Sequence, residues 1–304
     1  MSLTYHEDSL LDLTINRKNI QSVHTMITRR GTHIEMVSSP ELGLTCYMDN
    51  ALQSCEADES LYHEALVHPA MAHTYHKKRV MIVGGGEGAT AREVLKWPDV
   101  EHIDMYEWDE DVVSLFKEKY PQWAKGAWHD NRLHIHYHDI FNAIQTHPEK
   151  QYDVIIIDLF DYSEEDKNKW ANLLFHLPYW SNGSICIYAG LRSGLRSGLQ
   201  SGLRNGQCMP KKEQSYQVIA QMLRQHASPI SILQRLQSPH SVSIHDAFIA
   251  DNEIIPYRVF IPSFLGEATF LLIKFRPTIM MYDNVKHLSH ITKDIWKSYK
   301  TFNW

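Results

Sequence analysis

The chain has 304 residues, enough for one large domain, or a large and a small one, with an ample core. Its 36 carboxylates exceed its 30 lysines and arginines, a mild acidic excess that argues against a nucleic-acid partner. No apolar run is long enough to span a bilayer, and the N-terminus, with Glu7 and Asp8 and no apolar segment, does not read as a signal peptide, so a cytoplasmic protein with no membrane partner is expected.

The four cysteines, Cys46, Cys55, Cys186 and Cys208, form no CxxC pair and are expected as free thiols. Among 19 histidines, His134, His136 and His138 alternate within one apparent strand and so share a face. No carboxylate or cysteine pattern completes a metal site around them, and no metal is expected.

From about Ile20 to Gln53 the chain alternates loosely, with turn signals at Ser38-Ser-Pro40 and Asp49-Asn50, which predicts a small antiparallel β-unit. A helix follows over 59–73, with Pro69 expected to bend or end its regular part. From Lys78 the pattern becomes strand, helix, strand. Strands are predicted at Arg79–Val83, His102–Glu107, Leu133–Tyr137, Tyr152–Asp158 and Ser184–Tyr188, with helices over 90–96, 110–119, 141–146 and 169–177 between them. That alternation means a parallel sheet covered on both faces. A helix over 214–226 and strands at Tyr257–Ile261 and Ala268–Lys274 close the reading. Between Gly190 and Gln207, Ser-Gly-Leu repeats in tandem with Arg192, Arg196 and Arg204; such a tract builds no core and is expected to be a flexible insertion over 190–210.

The stretch Arg79 to Leu95 organises the rest. Val80, Ile82 and Val83 run into Gly84, Gly85 and Gly86, and a helix start follows, whose free N–H groups face whatever sits over the glycines. The spacing Gly84-x-Gly86-x-x-Ala89 also fits a dinucleotide turn. Glu87 opposes that reading, because a fixed negative charge disfavours a pyrophosphate and suits a cationic ligand.

Ligands of open α/β sheets sit beyond the carboxyl ends of the strands, and acids stand at those ends. Glu107 ends the second strand, 19 residues after Gly88, at the spacing of a carboxylate that accepts ribose hydroxyls. Asp139 ends the third strand, and Asp158 and Asp161 close the fourth. Asp109 and Asp161 have a plainer alternative as helix caps. The acids together favour an adenosyl-sulfonium ligand over a dinucleotide.

These residues resemble the polyamine aminopropyltransferases, the spermidine, spermine and thermospermine synthase family. The resemblance rests on Leu52-Gln53, Asp58-Glu59-Ser-Leu-Tyr62-His63-Glu64, Gly84-Gly-Gly-Glu-Gly88 with Ala91-Arg-Glu-Val94, Glu107-Trp-Asp-Glu-Asp111, Asp158-x-x-Asp161 and Ile261-Pro-Ser-Phe264. It implies a Rossmann-like α/β fold of the class I methyltransferase type, mostly parallel, over residues 59–304, with a small N-terminal antiparallel β domain over 1–58. It implies transfer of an aminopropyl group from decarboxylated S-adenosylmethionine to a polyamine or diamine, releasing methylthioadenosine, with no metal. Under it Asp158 accepts the proton of the attacking amine and Tyr62 orients that amine. Gln53, Gly84, Gly86, Glu87, Glu107 and Asp139 bind the donor: Glu87 and Asp158 at its amine, Glu107 at the ribose, Asp139 at the adenine amino group. Asp161 holds the acceptor, and a homodimer or homotetramer is implied. S-adenosylmethionine itself carries a carboxylate that Glu87 and Asp158 repel.

Three features depart from the family pattern. Asp161 is followed by Tyr162-Ser-Glu-Glu-Asp-Lys-Asn-Lys169 where members carry proline and a glycine-proline gate loop, with Glu164, Glu165 and Asp166 as candidate substitutes; Phe264 stands where many have tyrosine; and the Ser-Gly-Leu-Arg tract is extra. Two alternatives stay open beside aminopropyl transfer: a non-catalytic member acting in binding or assembly, and an S-adenosylmethionine-dependent methyltransferase.

Overall fold

The computed structural model describes residues 3–8, 14–145, 151–192, 215–226, 254–274, 289–290 and 295. The Ser-Gly-Leu-Arg tract beyond residue 192 lies outside the described residues.

The chain opens with a hairpin of β1 (Leu3–Asp8) and β2 (Thr14–Ile20), followed by an antiparallel sheet of β3 (Ser22–Ile27), β4 (His33–Ser39), β5 (Gly43–Met48) and β6 (Ala51–Cys55). The hairpin was not foreseen, because its strands are largely polar and carry little apolar alternation. The four-stranded sheet docks through its turns and edges. The Arg29 guanidinium meets Asp111 and Glu110 at 2.7–2.9 Å, and Trp123 Nε1 donates to Ser54 Oγ at 2.9 Å.

Helix α1 (Glu59–Ala72) leads into the larger sheet. Pro69 does not end it: the helix continues for another three residues. Proline has no N–H to give the carbonyl of residue 65. The Tyr257 hydroxyl donates to Ala65 O at 2.7 Å instead, so the acceptor that proline orphans is satisfied from a distant strand.

The seven-stranded sheet consists of β7 (Arg79–Gly84), β8 (His102–Tyr106), β9 (Leu133–His136), β10 (Tyr152–Asp158), β11 (Ser181–Arg192), β12 (Ile254–Ile261) and β13 (Gly266–Lys274), in the order β12-β13-β11-β10-β7-β8-β9. β9, β8, β7, β10 and β11 are parallel, and β13 and β12 add an antiparallel flank. The parallel strands are joined through α2 (Ala89–Leu95), α3 (Glu110–Lys119), α4 (Ile140–Ala143) and α5 (Lys167–Trp180), and α6 (Ser215–His226) follows β11.

Alternation divides the core in two. Val80, Ile82, Val154 and Ile156 face one side with α1, α2 and α3; Met81, Val83, Ile155 and Ile157 face the other with α5 and α6. Strand β10, flanked on both edges and buried on both faces, is therefore apolar through Val154–Ile157. Sequence order reverses between β7 and β10, which makes their carboxyl ends the switch point of the sheet.

Two expectations need correction. β9 ends at His136, so the three histidines do not share one strand: His134 stacks on His102 with centroids 4.5 Å apart, and His136 Nε2 meets Asp104 Oδ1 at 2.7 Å. Asp161 is not a helix cap; α5 begins only at Lys167, after Asp166.

Candidate active site

The switch point is a tight junction. Asp158 pairs with Gly84 in register, Gly84 has φ +80°, and a Cβ there would lie 2.0 Å from the Asp158 carbonyl oxygen. Only glycine lets the two main chains come this close. At Gly86 a Cβ would lie 3.0 Å from Glu107 Oε2 and 2.8 Å from Val112, so this position keeps the space beside that carboxylate open.

Asp158 projects from the end of β10 with both oxygens engaged. Tyr62 Oη donates to Oδ1 at 2.8 Å and Thr90 Oγ1 to Oδ2 at 2.7 Å. Tyr62 comes from α1 and Thr90 from the first turn of α2, so three elements aim this carboxylate. Burial, with Asp158 beside it, raises the Tyr62 hydroxyl well above the usual tyrosine range and keeps it a donor. The Tyr62 ring lies edge-on to Tyr188 at 5.5 Å and Phe264 at 6.3 Å.

Glu87 lies in the glycine turn with its side chain 13% exposed and Oε1 2.7 Å from His63 Nε2. Burial pushes its carboxyl upward, against the pull of His63. On its other side His63 Nδ1 meets the Glu59 main-chain oxygen at 2.7 Å and Glu59 Oε2 at 3.0 Å. Arg92 grips both Glu59 oxygens at 2.8 Å and Glu93 at 2.8 Å, and Glu93 meets His68 Nε2 at 2.9 Å. A chain of alternating charge thus runs from the turn into the α1–α2 interface.

Glu107 sits at the end of β8, buried, accepting the Asp109 N–H at 3.0 Å. Burial, reinforced by Asp109 and Asp158 and opposed by the Asp109 and Trp108 N–H groups, raises its carboxyl to about 7. Asp109 itself caps α3, accepting Asp111 N–H. Asp161 follows β10 and is bonded by the Tyr188 hydroxyl and the Leu191 N–H; burial raises its carboxyl above the ordinary value.

The remaining predicted residues bond to other groups. Gln53 is exposed, donating to Ala51 O at 3.1 Å, though it lines a narrow cleft with Tyr62, His63 and Phe264. Asp139 caps α4, accepting Phe141 N–H at 2.9 Å and Asn142 Nδ2 at 3.1 Å. Glu164 and Glu165 are exposed, and Glu164 and Asp166 pair with Lys167 and Lys169, a local lead into α5.

Sequence reasoning gave no role to Thr90, Tyr188, Glu59 or Arg92. A signal existed for some: Glu59 and His63 have the i,i+4 helical spacing, and Tyr188 lies near the end of a strand beside the switch point. Among the described residues, no group of three or more His, Cys, Asp or Glu is arranged to hold a metal ion, and no helix is long and apolar enough to cross a membrane.

Residues 59–186, which carry α1, the glycine turn, Asp158 and Asp161, match the family model for the spermine/spermidine synthase domain. Curated relatives named polyamine aminopropyltransferase are 40% identical over 152 residues in Aeropyrum pernix, covering 49% of this chain and 48% of that one, and 39% identical over 142 residues in Prochlorococcus marinus, covering 47% and 48%. Polyamine aminopropyltransferase 1 of Hyperthermus butylicus is 46% identical over 121 residues, covering 39% and 41%. The chain thus spans about half the length or less of the curated relatives it matches. Among solved structures, spermidine synthase from Thermotoga maritima superposes with a TM-score of 0.74 at 19% identity over 99% of this chain and 92% of that one. A spermidine synthase in complex with the transition-state analogue AdoDATO gives 0.74 at 18%, over the same shares. At such identity the superpositions carry the fold: the mostly parallel seven-stranded sheet behind a small antiparallel one is that of spermidine synthase.

Proposed function

We propose that the chain is a polyamine aminopropyltransferase that moves the aminopropyl group of decarboxylated S-adenosylmethionine to a polyamine or diamine and releases methylthioadenosine. The observation that carries this reading is Asp158, held by Tyr62 and Thr90 at the switch point, next to a glycine turn that bears a carboxylate. The family match and the analogue bound by a structural neighbour support it.

In this reading Glu107 accepts the ribose hydroxyls, Asp139 faces the adenine amino group, Gln53 borders the sulfonium arm, and Gly84 and Gly86 leave the main chain open to the nucleoside. Glu87 and Asp158 attract the ammonium of the aminopropyl arm. The acceptor amine, oriented by Tyr62 and Asp161, attacks the carbon next to sulfur. The C–N bond forms as the C–S bond breaks, the electron pair stays on sulfur, and Asp158 takes the proton that the amine loses. An amine is nucleophilic only when unprotonated, so a carboxylate fixed by two hydroxyl donors serves as the general base. The assembly as a homodimer or homotetramer and the cytoplasmic location belong to the same reading.

Incubation with decarboxylated S-adenosylmethionine and putrescine, agmatine, spermidine or spermine should release methylthioadenosine with at least one amine. Silence with the whole panel would sink the proposal. Asp158→Asn should lower kcat by about 100-fold or more and also weaken the donor, whose ammonium it shares with Glu87. The lysine-paired segment after Asp161 favours a second reading, a non-catalytic member; that reading predicts no heat of binding with the donor or methylthioadenosine, and clear turnover would exclude it.

A further inference from the structure

Both ring nitrogens of His63 face oxygen acceptors. Nδ1 points at the Glu59 main-chain oxygen and at Glu59 Oε2, and Nε2 points at Glu87 Oε1. A neutral imidazole has one N–H and one lone pair, so it would turn a lone pair on an oxygen at one of these contacts. Nδ1–H serves the Glu59 side. In the 2.7 Å contact with Glu87 the imidazole is the stronger base, by roughly two pKa units for the free groups, so the proton belongs on Nε2. Burial opposes the charge on His63, but Glu87 and Glu59 outweigh it.

The surroundings are built for this state. Glu59 is not neutralised by His63 alone, since Arg92 occupies both of its oxygens and is itself buried and tied to Glu93. The charged or titratable groups packed around the imidazole are Glu59 and Tyr62 from α1, Glu87 from the turn and Arg92 behind Glu59 from α2. Asp158 from β10 and Cys46 from β5 lie beyond Glu87.

We propose that Glu59 and Arg92 are positioning residues: they hold His63 as an imidazolium, and His63 in turn fixes the Glu87 carboxylate in the orientation that receives a ligand ammonium. The first half stands on the contacts alone; the second rests on the proposed aminopropyl donor. Glu59 and Arg92 act on the ligand through His63. A carboxylate held this way is a selective receptor, because it accepts the ammonium with no search over rotamers and leaves the nucleoside half of the ligand untouched.

The test uses the full-length protein, with histidine ring nitrogens labelled and His63 assigned by signal loss in His63→Gln. In the wild type His63 should stay doubly protonated well above the ordinary histidine range. In Glu59→Gln its titration should fall by about one pH unit or more, and Glu59→Asp should restore part of the shift. Calorimetry should show Glu59→Gln weakening decarboxylated S-adenosylmethionine about tenfold or more while methylthioadenosine, which lacks the amine, binds within about twofold of wild type. A residue that merely holds the fold would weaken both ligands alike. A His63 that is neutral at about pH 7 in the wild type overturns the proposal, as does an unchanged titration in Glu59→Gln. Should that variant not fold, the wild-type titration decides alone. If the wild type binds neither ligand, the proposed function fails, and the histidine titration still settles the proton.

Discussion

Gly84 and Asp158 face each other across β7 and β10, and a Cβ on the glycine would lie 2.0 Å from the Asp158 carbonyl oxygen. The atom it would strike is main chain, in the middle of the sheet, and φ at Gly84 is +80°. Gly84→Ala should therefore cost about 3 kcal/mol or more by urea unfolding, with loss of nucleoside binding. A loss below about 1 kcal/mol would show that the two strands separate easily.

The two hydroxyls on Asp158 come from different helices and can be removed singly. Tyr62→Phe and Thr90→Val each delete one hydrogen bond to the carboxylate and little volume. Each should lower the single-turnover rate by about tenfold to 100-fold, with KM for the donor moving less than kcat. A change confined to KM would mean that Asp158 keeps its aim without them.

Glu107 couples pH to both stability and binding. Its folded value near 7 lies above the unfolded value, so the folded state holds the proton more tightly between about pH 4.5 and 7. Stability from this group is full below about pH 4.5 and falls by an amount on the order of 3 kcal/mol as pH rises through 7. Glu107→Gln should raise the thermal midpoint at about pH 8 and abolish methylthioadenosine binding. In the wild type that affinity should grow as pH rises toward about 7 and level off above it, because only the ionised carboxylate accepts both ribose hydroxyls. Calorimetry across pH reads both limbs.

Glu59 works in the opposite sense. Burial would raise it, but His63 and Arg92 hold it down to about 2. Its contribution is present above the unfolded value of about 4.5 and disappears as pH falls toward 2, an effect on the order of 3 kcal/mol. Glu93, held low by His68, Arg92 and Lys96 against burial, adds to the same acid limb. Acid unfolding followed by circular dichroism should show a shallower decline in Glu59→Gln than in the wild type.

The sheet was legible because its grammar is local. Val80 to Val83 and Val154 to Ile157 announce buried parallel strands, and the acids at their ends follow from where such strands stop. Position along the chain places Glu87, Glu107, Asp158 and Asp161 near one another but says nothing about partners. That Glu87 rests on His63, that Thr90 shares Asp158 with Tyr62, and that Tyr188 holds Asp161 depend on how α1, α2 and β11 pack. Asp139 shows the reverse: an acid at a strand end reads the same whether it also caps the next helix or not. That α1 continues past Pro69 was not legible, because the rescue of the orphaned carbonyl comes from Tyr257, far beyond any local window.

The fastening of α1 has a consequence for how the chain assembles. Tyr257 reaches Ala65, the Ser263 N–H and hydroxyl reach Asp58, and the main-chain N–H groups of Ser289 and His290 reach the buried Glu64 carboxylate. These contacts close loops of 192 to 226 residues, and contacts of such long range form slowly because the entropy of loop closure has to be overcome before they reward it. The helix that carries Tyr62 and His63 is synthesised before the residues that fasten it, so a nascent chain can hold β7 and β10 well before it has anything to grip with.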